Sequence, residues 1–381
     1  MSISAYLFKY IDINPKELLA KGALAKKISM DKLQPFCRDV PEYEIAKFSG
    51  GTRFRNGDTI MARITPCLEN GKTAMVNILE PGEVGFGSTE FIVFRAKEGY
   101  TDPNFVYYLV KSSFVRDPAI KSMVGSSGRQ RVQTDVVQNL IVPFPSLLAQ
   151  RKIASILKSL DDKIALNTAI NDNLEQQARA LYQRMFIDNP VSGGYMGTLS
   201  DIADITMGQS PNGSSYNEDG NGAVFFQGRA EFGFRFPSVR LYTTEPKRMA
   251  CANDTLMSVR APVGDLNVAY TDCCIGRGLA AIHSKSNQQS FVLYTMFSLH
   301  KQLDVFNGEG TVFGSINRTS LTELPIFIPL DREIVKFEAI VTPIDAAIRN
   351  NYEEICRLEK IRDALLPKLM SGELDVSAIE I

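Results

Sequence analysis

The sequence predicts an α+β protein: two globular domains separated by two long helices that form an antiparallel coiled coil, with an internal pseudo-two-fold repeat. Three observations carry this. Residues 145–185 recur 184 positions later as residues 329–369, placing Asp161 on Asp345, Ile164 on Ile348, Asn167 on Asn351, Leu174 on Leu358 and Leu181 on Leu365. Identities in strict register over a window this long mark a repeat. Both copies keep a seven-residue apolar period, the pattern of a helix packed lengthwise on another helix. The flanking segments are rich in turns and short apolar runs, and GDTIMARITP at 57–66 is echoed by NDTLMSVRAP at 253–262. The boundaries expected are a first globular domain at 1–146, helical region 1 at 147–187, a second globular domain at 188–329 and helical region 2 at 330–381.

One helix has the seam Ile153, Leu160, Asn167, Leu174, Leu181 beside Leu157, Ile164, Asn171, Ala178, Met185. The other reads Phe337, Ile344, Asn351, Leu358, Leu365 beside Val341, Ile348, Ile355, Arg362, Leu369. Neither helix can bury its stripe alone, so pairing is assigned to Leu160, Ile164, Asn167 and Leu174 with Ile344, Ile348, Asn351 and Leu358. An antiparallel arrangement sets Asn167 opposite Asn351, where a buried amide pair costs stability but fixes register. The alternative puts both asparagines at a solvated edge of the seam. Thr342-Pro343 and Leu366-Pro367 interrupt the second helix, which is expected to restart at Pro343 and end near Leu366. At about 1.5 Å per residue the pair spans roughly 36 to 60 Å.

The remaining chain reads as follows. A helix is expected around Pro15 to Leu24, strands and hairpins across 51–76 with turns at Asn56-Gly57 and Asn70-Gly71, and another strand at 91–94. Asp102-Pro103 opens a helix to Lys111, a second helix starts near Pro118, and Gly125 to Arg131 forms a basic loop. Asn189-Pro190 and Ser192 to Gly194 mark a linker. In the second half, Gly208 to Pro211 is a loop, Gly276-Arg277-Gly278 answers Gly85-Phe86-Gly87, a helix runs near Phe291 to Leu303, and Gly308 to Gly310 answers Gly125 to Gly128.

At 381 residues the chain has room for two or three domains, and a 44% apolar and 22% charged composition is that of a globular protein. Its N-terminal stretch lacks a signal-peptide pattern, no run is apolar enough to span a membrane, and the six cysteines show no framework spacing. These features point to the cytoplasm. The formal net charge is −1, but residues 1–148 carry 19 Lys and Arg against 15 Asp and Glu while residues 331–381 carry 7 against 11. Any basic surface must therefore be local.

Catalytic patterns fail in turn. Gly71-Lys72-Thr73 resembles the end of a phosphate loop, but Pro66 stands where its first glycine is required. His283 and His300, with Cys273-Cys274, give no metal-ligand spacing, so no metal is expected. Phe306 to Gly310 fits the F-x-G-x-G loop of S-adenosylmethionine-dependent DNA methyltransferases, without the companion N/D-P-P-Y/F motif. That leaves a methyltransferase as one alternative and a coiled-coil interaction scaffold as another.

The residues Gln150 to Ile153 through Asp161, Ile164 and Asn167, their repeats Asp345, Ile348 and Asn351, and the ending Leu365 to Gly372 resemble the specificity (S) subunits of type I restriction-modification systems. Gly208-Gln209-Ser210-Pro211 looks like the opening of a target recognition domain, and Ile275 to Gly278 like a loop within one. The first domain lacks such an opening. The resemblance implies a non-catalytic reader of double-stranded DNA, with two target recognition domains each binding half of a split sequence. It further implies helical regions that dock two methyltransferase (M) subunits, and a restriction (R) subunit able to join. S-adenosylmethionine, ATP and magnesium would sit on those partners, with no cofactor on this chain. Helices spanning the length given above would separate half-site centres by roughly 10 to 18 base pairs. Because Arg reads guanine, Gln reads adenine and flexible loops suit phosphates, the DNA-contact candidates are Arg63, Lys72, Arg129 and Arg131 in the first domain and Gln209, Arg260, Arg277 and Arg318 in the second.

Overall fold

A computed structural model of the protein describes residues 3–188, 193–308 and 314–379. The chain divides into two compact units, Met1–Thr168 with Tyr352–Ile381, and Ala169–Asn351. The fold class is mixed helix and sheet, with two long helices, Leu147–Tyr182 and Asp331–Ser371. A π-helical turn, Gln183–Asp188, ends the first.

In the first unit the apolar run Thr59–Ala62 is buried at every position because it lies inside a sheet. That antiparallel sheet has the order Ile11–Ile13, Phe91–Ala96, Thr59–Ala62, Thr73–Met75. A second sheet runs Glu44–Lys47, Leu24–Ile28, Gly85–Gly87, Thr52–Phe54, with its central pair parallel. A ribbon pairs Ile3–Tyr6 with Ile141–Phe144. Helix Pro103–Lys111 starts as its sequence predicts: Pro103 takes the first helical position and the Asp102 carboxylate accepts from the amides of Asn104 and Phe105 at 3.0 and 3.1 Å. Phe105 through Val110 are all buried, so this helix is core on every side. Its core continues through Leu7, Ile11 and Phe94 to Leu157 and Leu369 of the long helices. Asp102→Ala should lower stability by about 1 kcal/mol through the lost cap, read as a shift in urea midpoint at unchanged slope.

The second unit repeats this topology. Ala203–Met207, Leu279–Ser284, Thr255–Ser258 and Leu266–Val268 form the four-stranded sheet in the same order, and Tyr195–Thr198 pairs with Pro325–Ile328 as the ribbon. In the other sheet, Ala223–Phe226 runs parallel to Cys273–Ile275. Thr255 faces Ile282 as Thr59 faces Phe94. Helix Gln289–Ser298 stands where Pro103–Lys111 stands in the first unit, and a short helix, His300–Leu303, follows it.

Three expectations are corrected. No helix forms around Pro15 to Leu24; residues 15–23 are irregular and Leu24 opens a strand. Here tertiary contacts override propensity. The Asn14 side chain accepts from the Val93 amide at 2.9 Å, and Glu17 is drawn into an ion cluster with Arg55 and Arg95. The second long helix does not restart at Pro343 but runs unbroken to Ser371, through both Pro343 and Pro367. Both prolines are exposed, while Phe337, Val341, Ile348, Leu366 and Leu369 on the opposite face are buried and hold the helix across the missing bonds.

Asn167 does not face Asn351. In the first unit its amide donates to Glu354 Oε2 at 2.8 Å, and Arg362 meets Asp161 at 2.8 Å, so the partners step in opposite directions and the helices there are antiparallel. In the second unit Asn351 donates to Asn171 Oδ1 at 2.9 Å and Asn171 to the Ile348 carbonyl. Each asparagine thus meets a residue about one turn from the expected one, because Asn171 on the neighbouring seam row supplies the amide for Asn351 and Glu354 the carboxylate for Asn167. Asn167 is 1% exposed, which removes the solvated-edge reading for it. Ile348 is also buried; Leu160, Ile164, Leu174, Ile344, Asn351 and Leu358 are half-buried. The linker at 189–192 and Glu309 and Gly310 lie outside the described residues.

Candidate nucleic-acid interface

Strand register gathers the second unit's candidates. In its four-stranded sheet Met207 pairs with Ala280, and Ser258 with Leu279. Gln209 follows the first strand, Arg277 precedes the second and Arg260 follows the third, so antiparallel pairing sets all three at one end of the sheet. Gly208 makes this possible: a Cβ there would lie 2.1 Å from the Gly276 carbonyl oxygen, a separation only glycine permits. Across that crossing the Gln209 amide donates to the Ile275 carbonyl at 2.9 Å and the Arg277 amide to Ser210 Oγ at 3.3 Å. The two loops singled out separately in the sequence are therefore neighbours. Arg260 bridges to Ser315, and Arg318 begins helix Arg318–Thr322 three residues later. All four side chains are exposed, and none has a side-chain partner among the described residues.

The equivalent end of the first unit is built differently. Arg63 follows strand Thr59–Ala62 and Lys72 precedes Thr73–Met75, again at one sheet end. Arg131 makes a bidentate pair with Glu90, Nη2 to Oε1 at 2.8 Å and Nε to Oε2 at 3.0 Å, while Arg63 Nε lies 3.9 Å from the same carboxylate. Hydrogen bonding from Arg131 holds the Glu90 carboxyl below its usual range. Lys72 Nζ donates to the Met30 carbonyl at 2.9 Å. Arg129 alone of the four is exposed with no side-chain partner among the described residues. The structure thus brings Arg63 and Arg131 together through a glutamate the sequence reading missed, and leaves Arg129 open.

A second device, joining each sheet domain to a long helix, also escaped the sequence reading. In the first unit the Tyr108 hydroxyl donates to Asp161 at 2.7 Å and Arg362 pairs with the same carboxylate. In the second, the Tyr294 hydroxyl donates to Asp345 at 3.0 Å, with Arg235 at 3.3 Å from both Asp345 and Glu175. Burial, reinforced by the nearby carboxylate, pushes both tyrosines up and keeps them as donors at neutral pH. Asp161 and Asp345 are the repeated pair, and NFVYY at 104–108 echoes SFVLY at 290–294. That second echo was the signal available. Gln150 fixes the start of the first long helix, accepting from the Asp102 amide and donating to the Tyr100 and Pro145 carbonyls, all at 3.0 Å.

Phe306 lies in a 3-10 turn, Asp304–Asn307, that follows a helix, whereas the methyltransferase loop joins a strand to a helix. Among the described residues no helix is long and apolar enough to cross a membrane.

Residues 26–176 match the family model described as the type I restriction modification DNA specificity domain. The chain is 28% identical to a putative type I restriction enzyme MjaX specificity subunit of Methanocaldococcus jannaschii, over 92% of this chain and 85% of that one. It is 24% identical to the HindI specificity subunit of Haemophilus influenzae, over 84% and 87%. The fold is similar to that of a type I restriction-modification S subunit from M. genitalium, with a TM-score of 0.59, 16% identity, and coverage of 99% and 97%. With a family match on residues 26–176 and relatives aligned over most of its length, the chain is similar to the DNA specificity subunits of type I restriction-modification systems.

Proposed function

We propose that this chain is a specificity subunit that reads a split double-stranded DNA target, one half with each unit, and carries no catalytic step itself. The observation that supports this most is the cluster of Gln209, Arg260, Arg277 and Arg318. Three exposed guanidinium groups and an amide without side-chain partners among the described residues are a surface awaiting an acceptor-rich ligand. Guanine presents two acceptors to one Arg, and adenine an acceptor and a donor to one Gln. In the first unit Arg129 is the open group, and Arg131 becomes available by exchanging Glu90 for DNA.

The long helices would set the distance between half-sites and dock two M subunits, with an R subunit able to join them. S-adenosylmethionine would serve the M subunits, and ATP and magnesium the restriction machinery. The reaction would thus occur on partners, while this chain selects the sequence.

Arg277→Ala and Arg129→Ala separate base reading from phosphate contact. Each base-reading arginine should cost about 1–3 kcal/mol in binding of the complex with M and relax one position of its half-site. A loss that is uniform across sequences, with a shallower salt dependence, would assign that arginine to phosphate.

A further inference from the structure

The two units treat one buried carboxylate differently. In the first, Asp58 is 1% exposed and its Oδ2 accepts from the Arg55 amide at 2.8 Å. Arg95 neutralises it with two hydrogen bonds of 2.7 and 2.6 Å. Asp254 holds the same place in the second unit: it precedes Thr255 as Asp58 precedes Thr59, is 4% exposed, and accepts from the Cys251 amide at 2.8 Å. The residue facing it, in the position of Arg95, is His283, whose Nδ1 lies 2.6 Å from Asp254 Oδ1. A buried carboxylate that has lost its guanidinium needs another cation. Here it has beside it an imidazole and the Cys251 thiol, and ligand atoms of all three residues lie within 4.8 Å of one another.

We propose that Cys251, Asp254 and His283 form a site for a divalent transition-metal ion of the zinc type, which takes the place of the Arg95 charge. Sulfur, imidazole nitrogen and a carboxylate oxygen form a donor set that favours zinc over magnesium or calcium. Ligands of a tetrahedral ion at its usual 2.0–2.3 Å stand about 3.5 Å apart, so an ion that replaces the proton between His283 and Asp254 would widen their 2.6 Å contact by about 1 Å and draw the Cys251 loop in, with water at the fourth position. The Cys251 amide occupies Asp254 Oδ2, so the ion would take Oδ1 in place of its contact with His283, while exposed Cys251 and His283 leave a path of entry. Asn253, within the same loop, accepts from Arg349 of the second long helix at 2.8 Å. A bound ion would therefore stiffen the joint between sheet domain and helix in this unit. Sequence spacing gives no sign of this site, because the ligands come from a turn and a strand 32 residues apart.

The test uses the purified full chain with a non-chelating phosphine reductant, titrated with Co²⁺ and then Zn²⁺ while absorbance is recorded. The expected result is one equivalent of cobalt with thiolate charge-transfer and tetrahedral visible bands, displaced by zinc. Cys251→Ser and His283→Arg should each abolish the bands or weaken binding by about 100-fold. His283→Arg restores the pairing seen at Asp58 and so keeps the fold independent of metal. Absence of thiolate bands in the wild type, or bands that persist in either folded variant, would overturn the site and leave a plain His–Asp hydrogen bond.

Discussion

Replacing Arg362 by methionine should destabilise the unit that contains it by about 3–5 kcal/mol. Arg362 and Asp161 are 5% and 8% exposed, and the guanidinium is the carboxylate's only cationic hydrogen-bond partner among the described residues. Without it, Asp161 keeps the Tyr108 hydroxyl and a buried, uncompensated charge. The cost comes from that stranded charge more than from the contact itself, since methionine recovers packing in the seam. Adding Asp161→Asn to Arg362→Met should therefore recover most of the loss, and the coupling between the two changes should be 1 kcal/mol or more, on the order of that measured for groups in one network. Urea denaturation of the four proteins of the cycle decides it. Additive effects would show that Asp161 is solvated and that the pair is incidental.

Inserting one helical turn into both long helices should shift the spacing of the target. Four residues add about 6 Å to each helix, which corresponds to between one and two base pairs of duplex. The variant complex should modify the same half-sites with the longer spacer. Binding to the original site should weaken by at least about 10³-fold, toward the level of non-specific DNA. Methylation of a library with all spacer lengths reads this directly; an unchanged spacer would remove the helices from the measurement of distance.

How much of this was legible in the sequence follows from what each feature depends on. The long helices and the two-fold repetition of strands rest on local periodicity and on identities such as Asp161 with Asp345, which a single chain displays. The register between helices does not: it depends on which seam row supplies the partner, and Asn351 meets Asn171, one turn on from Asn167, while Asn167 itself meets Glu354. The false helix at Pro15 to Leu24 has the same origin, for Glu17 is committed to Arg55 and Arg95 from distant strands. In the candidate interface, glycine-flanked loops identified Gln209 and Arg277, but only strand register shows them beside Arg260. Glu90 gave no sequence signal, because its importance comes from pairing with Arg131 across 41 positions. Pro343 was overread, since local propensity costs a few kcal/mol while the buried face opposite it outweighs that cost.

The measurement closest to the central claim is methylation mapping in a methylation-free host that co-expresses this chain with an M subunit from its own restriction-modification system. A split motif that appears only when the chain is present, and loses definition at single positions in the Arg277 and Arg129 variants, is the predicted result. An undivided motif made by this chain alone, or a motif that is the same with and without it, would contradict the account.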